Sequence, residues 1–336
     1  MLLSIIIVSY NTADLTLQTI NSCLNDIKKS KLLEGKAEII LIDNNSSDDS
    51  LEKVKRIKNK EKNIFVIANK KNTGFAVANN QGIKKAKGKY VLLLNSDTIV
   101  QKNALEELVN AFEKFKNNES TATLSSYHNK LDKLGILSST LLNKDASIQP
   151  QGGSFPNLFS IFNHMMFLDD IPILGKFLPS TQHTGLRSNK IQTPNFKQYS
   201  VSNIQYLKTK PWVAATAMLI KREVFDEIGF LDENIFMYGE DIEFCMRAAN
   251  HHWDVAIHPK AQTTHLGCAS SSSKNALIGE LKGYIYIWSK HKPLWQLPIL
   301  KNILRSGIYL RIFLFATILQ DKKRASIYRE ALTKLD

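Results

Sequence analysis

Short apolar runs alternate with amphipathic segments along the N-terminal third of the chain. Each run ends near a polar residue, and such runs are typical of strands that are buried on both faces of a sheet. Strands separated by helices predict βαβ units and a mostly parallel sheet. The predicted strands cover residues 3–8, 38–42, 64–68 and 90–94, and the predicted helices cover 12–24, a segment from about 48, 75–86 and 103–115.

The pattern changes in the rest of the chain. Residues from about 150 to 208 mix Pro, Gly, Ser and Asn with apolar patches, which predicts an acceptor-side insertion or loop. We therefore divide the chain into an α/β domain over 1–270 and a helical tail over 271–336. The remaining predicted elements are a hairpin over 134–149 turning at 143–145, strands over 212–220 and 253–257, and helices over 221–228 and from about 240.

Two acids stand where predicted strands end. Asp43 follows one apolar run and Asp97 follows another after two polar residues. Ligands of open parallel sheets bind beyond the carboxyl ends of the strands. Mg²⁺ binds through one or two carboxylates together with substrate phosphates. The pair therefore predicts a site for a nucleotide and a divalent cation, although Asn-Ser-Asp97 is also ordinary turn chemistry.

Two predicted helix starts and one histidine add candidate chemistry. Asn72 and Gly74 precede a helix whose N-terminus can meet a phosphate. Glu240 and Asp241 open another helix, whose dipole should lower the pKa of Asp241 and keep it ionised as a proton acceptor. His265 follows a predicted strand, and its imidazole would favour manganese over magnesium. Helix capping and a structural histidine are the alternatives.

Charge and cysteine usage limit the classes of function. The net charge is +13 and favours phosphorylated ligands, anionic lipid or nucleic acid, with a solvated Lys-rich surface as the alternative. No zinc, RRM-like or helix-turn-helix signature supports nucleic acid. The first strand lacks the Gly-rich turn of a nicotinamide dehydrogenase. Cys23, Cys245 and Cys268 lack metal-ligand spacing, which predicts reduced thiols in a cytoplasmic protein.

The tail interleaves aromatic and aliphatic residues with Lys and Arg. No uncharged stretch here reaches the ~20 residues that span a bilayer. A basic amphipathic helix with aromatic residues is typical of a segment that lies in a membrane interface. The alternative is a helix packed on the protein's own core.

Seven segments, taken in order, resemble the family-2 inverting glycosyltransferases with the GT-A fold. The resemblance is strongest to the bacterial rhamnosyltransferase-like branch, and it covers about residues 1–270. It implies a Rossmann-like, mostly parallel sheet flanked by helices, here with a C-terminal amphipathic helical extension. The segments are Ser4–Asn11, Ile42–Ser47, Asn72–Ala76, Leu94–Asp97, Ala217–Arg222, Phe236–Asp241 and His265–Gly267.

The resemblance also implies a role for each site residue. Tyr10 and Asp43 would lie by the nucleobase, and Asn72 and Gly74 would line the nucleotide-sugar pocket. Asp97 would bind Mg²⁺ or Mn²⁺, with His265 as a further ligand. Asp241 would be the general base, with Glu240 beside it on the acceptor side. Asn95 stands where the family usually has the first acid of its metal motif, so metal coordination would be looser.

The implied reaction is an inverting, metal-dependent transfer of one sugar per binding event. The donor would be dTDP-rhamnose or a UDP-sugar, and the acceptor a glycan or polyprenyl-linked glycan of cell-surface polysaccharide biosynthesis. The protein would act in the cytoplasm, peripherally at the inner face of an anionic membrane. A non-catalytic nucleotide-sugar-binding or scaffold protein of the same fold is the alternative.

Overall fold

Successive residues of the first strand alternate between two hydrophobic cores, one on each face of the sheet. Ile5 and Ile7 pack in one core and Ile6 in the other, and all three are fully buried. A strand with both faces covered must be apolar throughout, which explains the uninterrupted run in the sequence. The computed structural model describes residues 1–118, 133–171, 178, 200–201, 204–205, 207–267 and 273–335.

The predicted α/β fold is confirmed. Eleven helices and strands make up the first half of the described chain, and the helices lie between successive strands. They are β1 (Leu3–Ser9), α1 (Ala13–Lys29), β2 (Ala37–Asp43), α2 (Ser50–Lys58), β3 (Ile64–Ala68), α3 (Phe75–Lys85), β4 (Tyr90–Asn95), β5 (Thr98–Val100), α4 (Ala104–Asn118), β6 (Leu134–Leu142) and β7 (Gly152–Gly153).

The second half mixes short strands with longer helices. Its elements are α5 (Leu158–Met165), β8 (Ser200–Val201), β9 (Ile204–Gln205), β10 (Lys208–Thr209), β11 (Trp212–Val213), β12 (Ala217–Lys221), α6 (Arg222–Ile228), α7 (Glu240–Asn250), β13 (Asp254–His265), α8 (Ser273–His291), α9 (Gln296–Phe313) and α10 (Lys322–Leu332). A π-helical turn, Leu314–Ile318, joins α9 to α10.

The central sheet has the strand order β10-β13-β6-β12-β4-β1-β2-β3, and β5 pairs with the end of β13. Strands β4, β1, β2 and β3 are parallel, and β12 runs antiparallel to both β4 and β6. The chain leaves β1 for β2 and β3 on one side and returns to β4 on the other. This reversal opens a crevice at the carboxyl ends of β1 and β4, where ligands of such sheets bind.

Two sequence predictions in the second half are wrong in detail. The single strand predicted over 212–220 is split, because β11 pairs with β7 while β12 joins the central sheet. The predicted hairpin keeps its turn, but its return arm makes only one bridge, Leu142 to Ile148. The side chain of Gln151 replaces further strand pairing by donating to Ser138 and Ser139. Both departures bring polar residues to the crevice.

The C-terminal helices pack on the sheet domain with one of their faces. On α8, Ile287 and Trp288 are fully buried, and they belong to the same core as Phe244 of α7. On α9, Leu304 and Ile308 are also fully buried. The alternative of a helix packed on the protein's own core therefore holds for these faces. No helix within the described ranges has the length and apolar character needed to cross a membrane.

Two of the three cysteines can be placed. Cys23 and Cys245 are buried free thiols, as predicted, and burial raises the pKa of each to about 12. A thiol with so high a pKa is inert as a nucleophile at neutral pH. Cys268 lies outside the described residues.

Candidate active site

A cleft of about 990 Å³ opens at the carboxyl ends of β1 and β4. Its walls come from the sheet, from the start of α7, from the end of β13 and from α8. The size suits a nucleotide-sized ligand, since such sites usually measure ~300–1,000 Å³. Eight of the residues proposed from the sequence line it, namely Tyr10, Asn72, Gly74, Asn95, Asp97, Glu240, Asp241 and His265.

Asp43 is the exception, because it does not line the cleft, and its contact with the nucleobase stays a prediction. It is the last residue of β2 and is only 2% exposed. One carboxylate oxygen accepts from the Ser46 N–H at 3.2 Å, which shapes the turn after the strand. The other oxygen has no hydrogen-bond partner among the described residues. The next residue, Asn44, lines the cleft in its place.

Asn44 organises the loop before α3, a role that the sequence pattern did not predict. Its amide donates to the Asn72 side chain at 2.9 Å and to the Gly74 carbonyl at 3.2 Å. Its oxygen accepts from the Thr73 N–H and from Asn69, each at 3.0 Å. One side chain thus fixes the loop before α3. Its position in a run of polar cap residues concealed this role.

Gly74 is required where it stands. Its φ is +84°, and a Cβ added there would lie 2.5 Å from the Phe236 carbonyl oxygen. The same carbonyl accepts from the Phe75 N–H at 2.7 Å. The start of α3 is therefore bonded directly to the loop that leads into α7, which fixes the two helix starts relative to each other.

Asp97 and His265 meet across the cleft floor. The His265 Nε2 lies 3.3 Å from an Asp97 carboxylate oxygen, and its Nδ1 lies 2.9 Å from the Gln149 side-chain oxygen. β13 is longer than predicted and ends at His265 itself, where it pairs with Thr98. Gln149 therefore sets the orientation of the ring, a contact that sequence spacing alone does not reveal.

A cation at this point of the cleft would have these two side chains as its candidate protein ligands. Across the described ranges, no group of three or more His, Cys, Asp and Glu side chains comes together as a metal site. Asn95, at the end of β4, lines the same part of the cleft but offers only a carboxamide. A divalent cation here would need oxygen ligands from a phosphorylated substrate, which is how Mg²⁺ is usually held.

Glu240 and Asp241 open α7 and line the same cleft. The Asp241 carboxylate accepts from the Ile242 N–H at 2.8 Å and from the Ala215 N–H at 3.4 Å. Ala215 lies in the break between β11 and β12, so the interruption of the strand places this N–H donor beside Asp241. Glu240 is 6% exposed, and its outer oxygen has no partner among the described residues.

The expectation that the helix dipole lowers the pKa of Asp241 is wrong. Burial raises the pKa of Asp241 to about 6, and it outweighs the two N–H donors. Burial, with the nearby Asp241 charge, raises the pKa of Glu240 to about 8. Two neighbouring buried acids do not ionise together easily, because burial and a nearby like charge both disfavour the charged form. The pKa of Glu240 is raised further than that of Asp241, so Asp241 is the acid of this pair that ionises first and can then accept a proton.

The third wall comes from α8, which the sequence analysis had assigned to a separate tail. Asn275, Gly279, Lys282 and Tyr286 of this helix face the cleft. The one sequence signal for this was the spacing of Gly279 and Gly283, which puts two residues without side chains on one helix face.

The fold is that of GT-A glycosyltransferases. The structure of GalNAc-T7 with UDP, GalNAc and Mn²⁺ has a TM-score of 0.56 and 15% identity, and covers 99% of this chain and 55% of that one. A Pyrobaculum calidifontis mannosyltransferase with GDP-Man and Mn²⁺ has a TM-score of 0.51 and 14% identity, with coverages of 99% and 83%. At these identities the likeness is one of fold.

Residues 4–170 match the family described as Glycosyl transferase family 2, so the chain carries a domain of that family. An L-rhamnosyltransferase of Mycobacterium tuberculosis, acting on N-acetylglucosaminyl-diphospho-decaprenol by its name, is 25% identical over 206 residues, covering 60% of this chain and 59% of that protein. An uncharacterized glycosyltransferase of Haemophilus influenzae is 37% identical over 109 residues, with coverages of 32% and 41%. The match thus spans less than two thirds of each relative.

Proposed function

We propose that this protein transfers a sugar from a nucleoside-diphosphate donor to a hydroxyl group of a glycan or lipid-linked glycan. One observation carries the proposal: a single cleft holds the Asp97–His265 pair on one wall and the Glu240–Asp241 pair on another. The first suits a diphosphate with its cation, and the second suits proton removal. dTDP-rhamnose is the first candidate donor because a named relative is a rhamnosyltransferase, and UDP-sugars are the next.

The donor would lie along the wall from Tyr10 to Gly74. The Tyr10 ring faces the cleft and offers a surface for a nucleobase. Asn72 and Gly74 are held by Asn44, and the N-terminus of α3 follows directly, with its positive end towards the cleft. Asp43 shapes the turn after β2 through the Ser46 N–H, and its place near the nucleobase is part of the proposal.

Asp97 and His265 would hold Mg²⁺ or Mn²⁺, and their carboxylate and imidazole atoms fit either ion. When bound, the cation would supply positive charge against the charge that builds on the leaving diphosphate. Gln149 fixes the imidazole from the other side. The carboxamide at Asn95 leaves Asp97 as the one acid of this short motif, so affinity for free metal should be low.

The transfer follows from the acids of α7. The acceptor hydroxyl oxygen forms a bond to the anomeric carbon while the bond from that carbon to the diphosphate oxygen breaks. The hydroxyl proton moves to Asp241, and the nucleoside diphosphate leaves with the electron pair. Attack from the face opposite the leaving group inverts the anomeric configuration. Glu240 keeps its proton, so that a second negative charge does not oppose the reaction.

An anionic membrane surface is the proposed cellular partner, met from the cytoplasmic side. The outward face of α9 carries Ile299, Tyr309 and Phe313, and Trp295 immediately precedes the helix; each of the four is between 41% and 66% exposed. These positions fall on one side of the helix, and Lys301 and Arg305 flank them. Exposed aromatic residues beside basic ones suit a membrane interface. A lipid-linked acceptor would then be presented at the surface where the protein docks.

A panel of nucleotide sugars tests the function. Each donor is mixed with the protein, with and without Mn²⁺ or Mg²⁺, and both thermal stabilisation and release of the nucleoside diphosphate are measured. We expect one donor to stabilise the protein in a metal-dependent way and to be turned over when a lipid-linked glycan is added. Binding without turnover for every acceptor would favour the non-catalytic alternative, and no binding at all would refute the proposal.

A further inference from the structure

Helix α8 lies against the turn that carries the acids of α7. A Cβ added to Gly279 would lie 2.7 Å from the ring of Tyr238, and one added to Gly283 would collide with the Tyr238 carbonyl oxygen. Any side chain at these two positions would push the helix away from the turn. The two glycines therefore let the backbone of α8 approach the residues immediately before Glu240 and Asp241.

The turn itself is held in an uncommon conformation. Tyr238 has φ of +71° and Gly239 has φ of +104°. A bulky residue at positive φ is strained, and such strain persists only where the surroundings impose it. The contacts of Tyr238 with Gly279 and Gly283 are part of those surroundings. Removing α8 would thus release the turn that aims Asp241 into the cleft.

Glu243 ties the two helices together, one turn beyond the acids. It is fully buried, and Lys290 and His291 at the end of α8 donate to its carboxylate at 2.7 and 3.0 Å. Arg247 donates to both of its oxygens, at distances of 2.8 to 3.0 Å. Burial raises the pKa of Glu243, but these donors outweigh it and hold the pKa below its usual value.

Lys290 reaches a second acid, Asp232, in the loop between α6 and α7. The hydroxyl of Tyr286, one turn earlier on α8, donates to the same carboxylate at 2.7 Å. Burial raises the pKa of Asp232, yet the bonds from Lys290 and Tyr286 hold it far below its usual value. Lys290 thus bridges two acids, one before the acidic turn and one after it, and the turn lies between the two anchors.

We infer that Lys290, through Glu243 and Asp232, is a positioning residue that holds α8 against the acidic turn and so fixes Asp241 in the cleft. The sequence places Glu243 beside two cleft acids, but it does not line the cleft. Its carboxylate is bonded to the side chains of Lys290, His291 and Arg247, and we therefore assign it no part in proton transfer. The inference rests on the proposed function only for its effect on turnover, because the effect on the turn is structural.

Lys290→Met tests this, with Lys323→Met on the exposed face of α10 as the matched control. We expect kcat to fall about tenfold or more, since small displacements of a reacting group are costly, while the donor KM changes less than about twofold. Lys290→Arg should recover most of the loss, because Arg can reach both acids. A Lys290→Met enzyme with kcat within twofold of the control would overturn the inference.

Amide hydrogen exchange gives a second readout that needs no turnover. In Lys290→Met, exchange over residues 236–242 should rise at least tenfold, while exchange in β1 and β2 stays at the control level. If Lys290→Met does not fold, Tyr286→Phe removes one bond to Asp232 and should raise exchange in the same segment by a smaller factor. Unchanged exchange in a folded variant contradicts the inference, whereas faster exchange in a protein that transfers no sugar removes only the proposed function.

Discussion

The sheet region, residues 1–118, and the C-terminal helices, residues 273–335, build opposite walls of one cleft by different means. In the sheet region, buried strands end together, and the backbone brings the side chains that follow them to one edge. The helices contribute through side-chain ion pairs and glycine contacts with α7. The first wall depends on local pattern and topology, whereas the second depends on contacts between residues far apart in sequence. The proposed chemistry is divided in the same way.

The largest expected effect concerns the wall that α8 supports. Asp241→Asn should lower kcat by about 10²–10⁴-fold, the usual contribution of a general base, because a carboxamide cannot take the proton. Donor affinity should stay within about twofold, since the proposed donor site lies on the sheet wall. Steady-state kinetics and calorimetric titration measure the two. Asp226→Asn, an exposed acid on α6, is the control, and equal activity in both variants would remove Asp241 from the mechanism.

The two acids at the strand ends should respond differently to substitution. Asp97→Ala should weaken metal-dependent donor binding by about 10–100-fold, because the cation loses its carboxylate ligand. Asp43→Asn should leave the Mn²⁺ titration unchanged, because this side chain shapes the turn after β2 and lies outside the cleft. Titrations of donor binding at several Mn²⁺ concentrations distinguish them. Equal responses of the two variants would mean that the role assigned to one of these two residues is wrong.

The sequence predicted the sheet wall of the cleft better than the wall that α8 forms. Strand β4 and the loop before α3 were predicted because the pattern of consecutive residues indicates buried strands and the turns that follow them. Asn44, Gln149 and α8 were not predicted, because their contacts join residues that lie far apart in the chain. The raised pKa of Asp241 was missed for a related reason, since the helix dipole is visible in sequence and burial is not.

The pH dependence of stability tests the burial of the acidic pair. The folded-state pKa of Glu240 is raised to about 8, so the protonated form is favoured in the native protein. Its stabilising contribution is complete below the ordinary pKa of Glu and is lost as pH rises towards 8. Glu240→Gln should therefore match the wild-type Tm near pH 4 and exceed it by several degrees at pH 8. A constant Tm difference across this range would show that Glu240 is not buried as a neutral acid.

Transfer should depend on pH through the other acid. The pKa of Asp241 is raised to about 6, and the base must be ionised to act. We expect kcat to rise about tenfold per pH unit below pH 6 and to level off above it, in both wild type and Glu240→Gln. The midpoint should be the same in the two proteins, because Glu240 is neutral near pH 6 and Gln is neutral as well. If kcat does not fall below pH 6, Asp241 is not the residue that removes the proton.

The smallest expected effect concerns the outward side of α9, a helix that does not line the cleft. Phe313 on α9 is 57% exposed and Phe159 on α5 is 54% exposed, so the two form a matched pair. Phe313→Ser should weaken binding to anionic vesicles about threefold to tenfold, because apolar surface no longer enters the interface, whereas Phe159→Ser should not. Co-sedimentation with anionic and neutral vesicles measures both.

Point substitutions are needed for this last test because deleting the helices would not isolate the membrane contact. A chain ending near Lys274 would lose the α8 wall of the cleft and uncover Phe244, which packs in the same core as Trp288. Such a protein could leave vesicles simply because it no longer folds. Phe313 faces outward, so its removal tests the surface alone. Equal vesicle binding by Phe313→Ser and Phe159→Ser would leave α9 as a packing helix and nothing more.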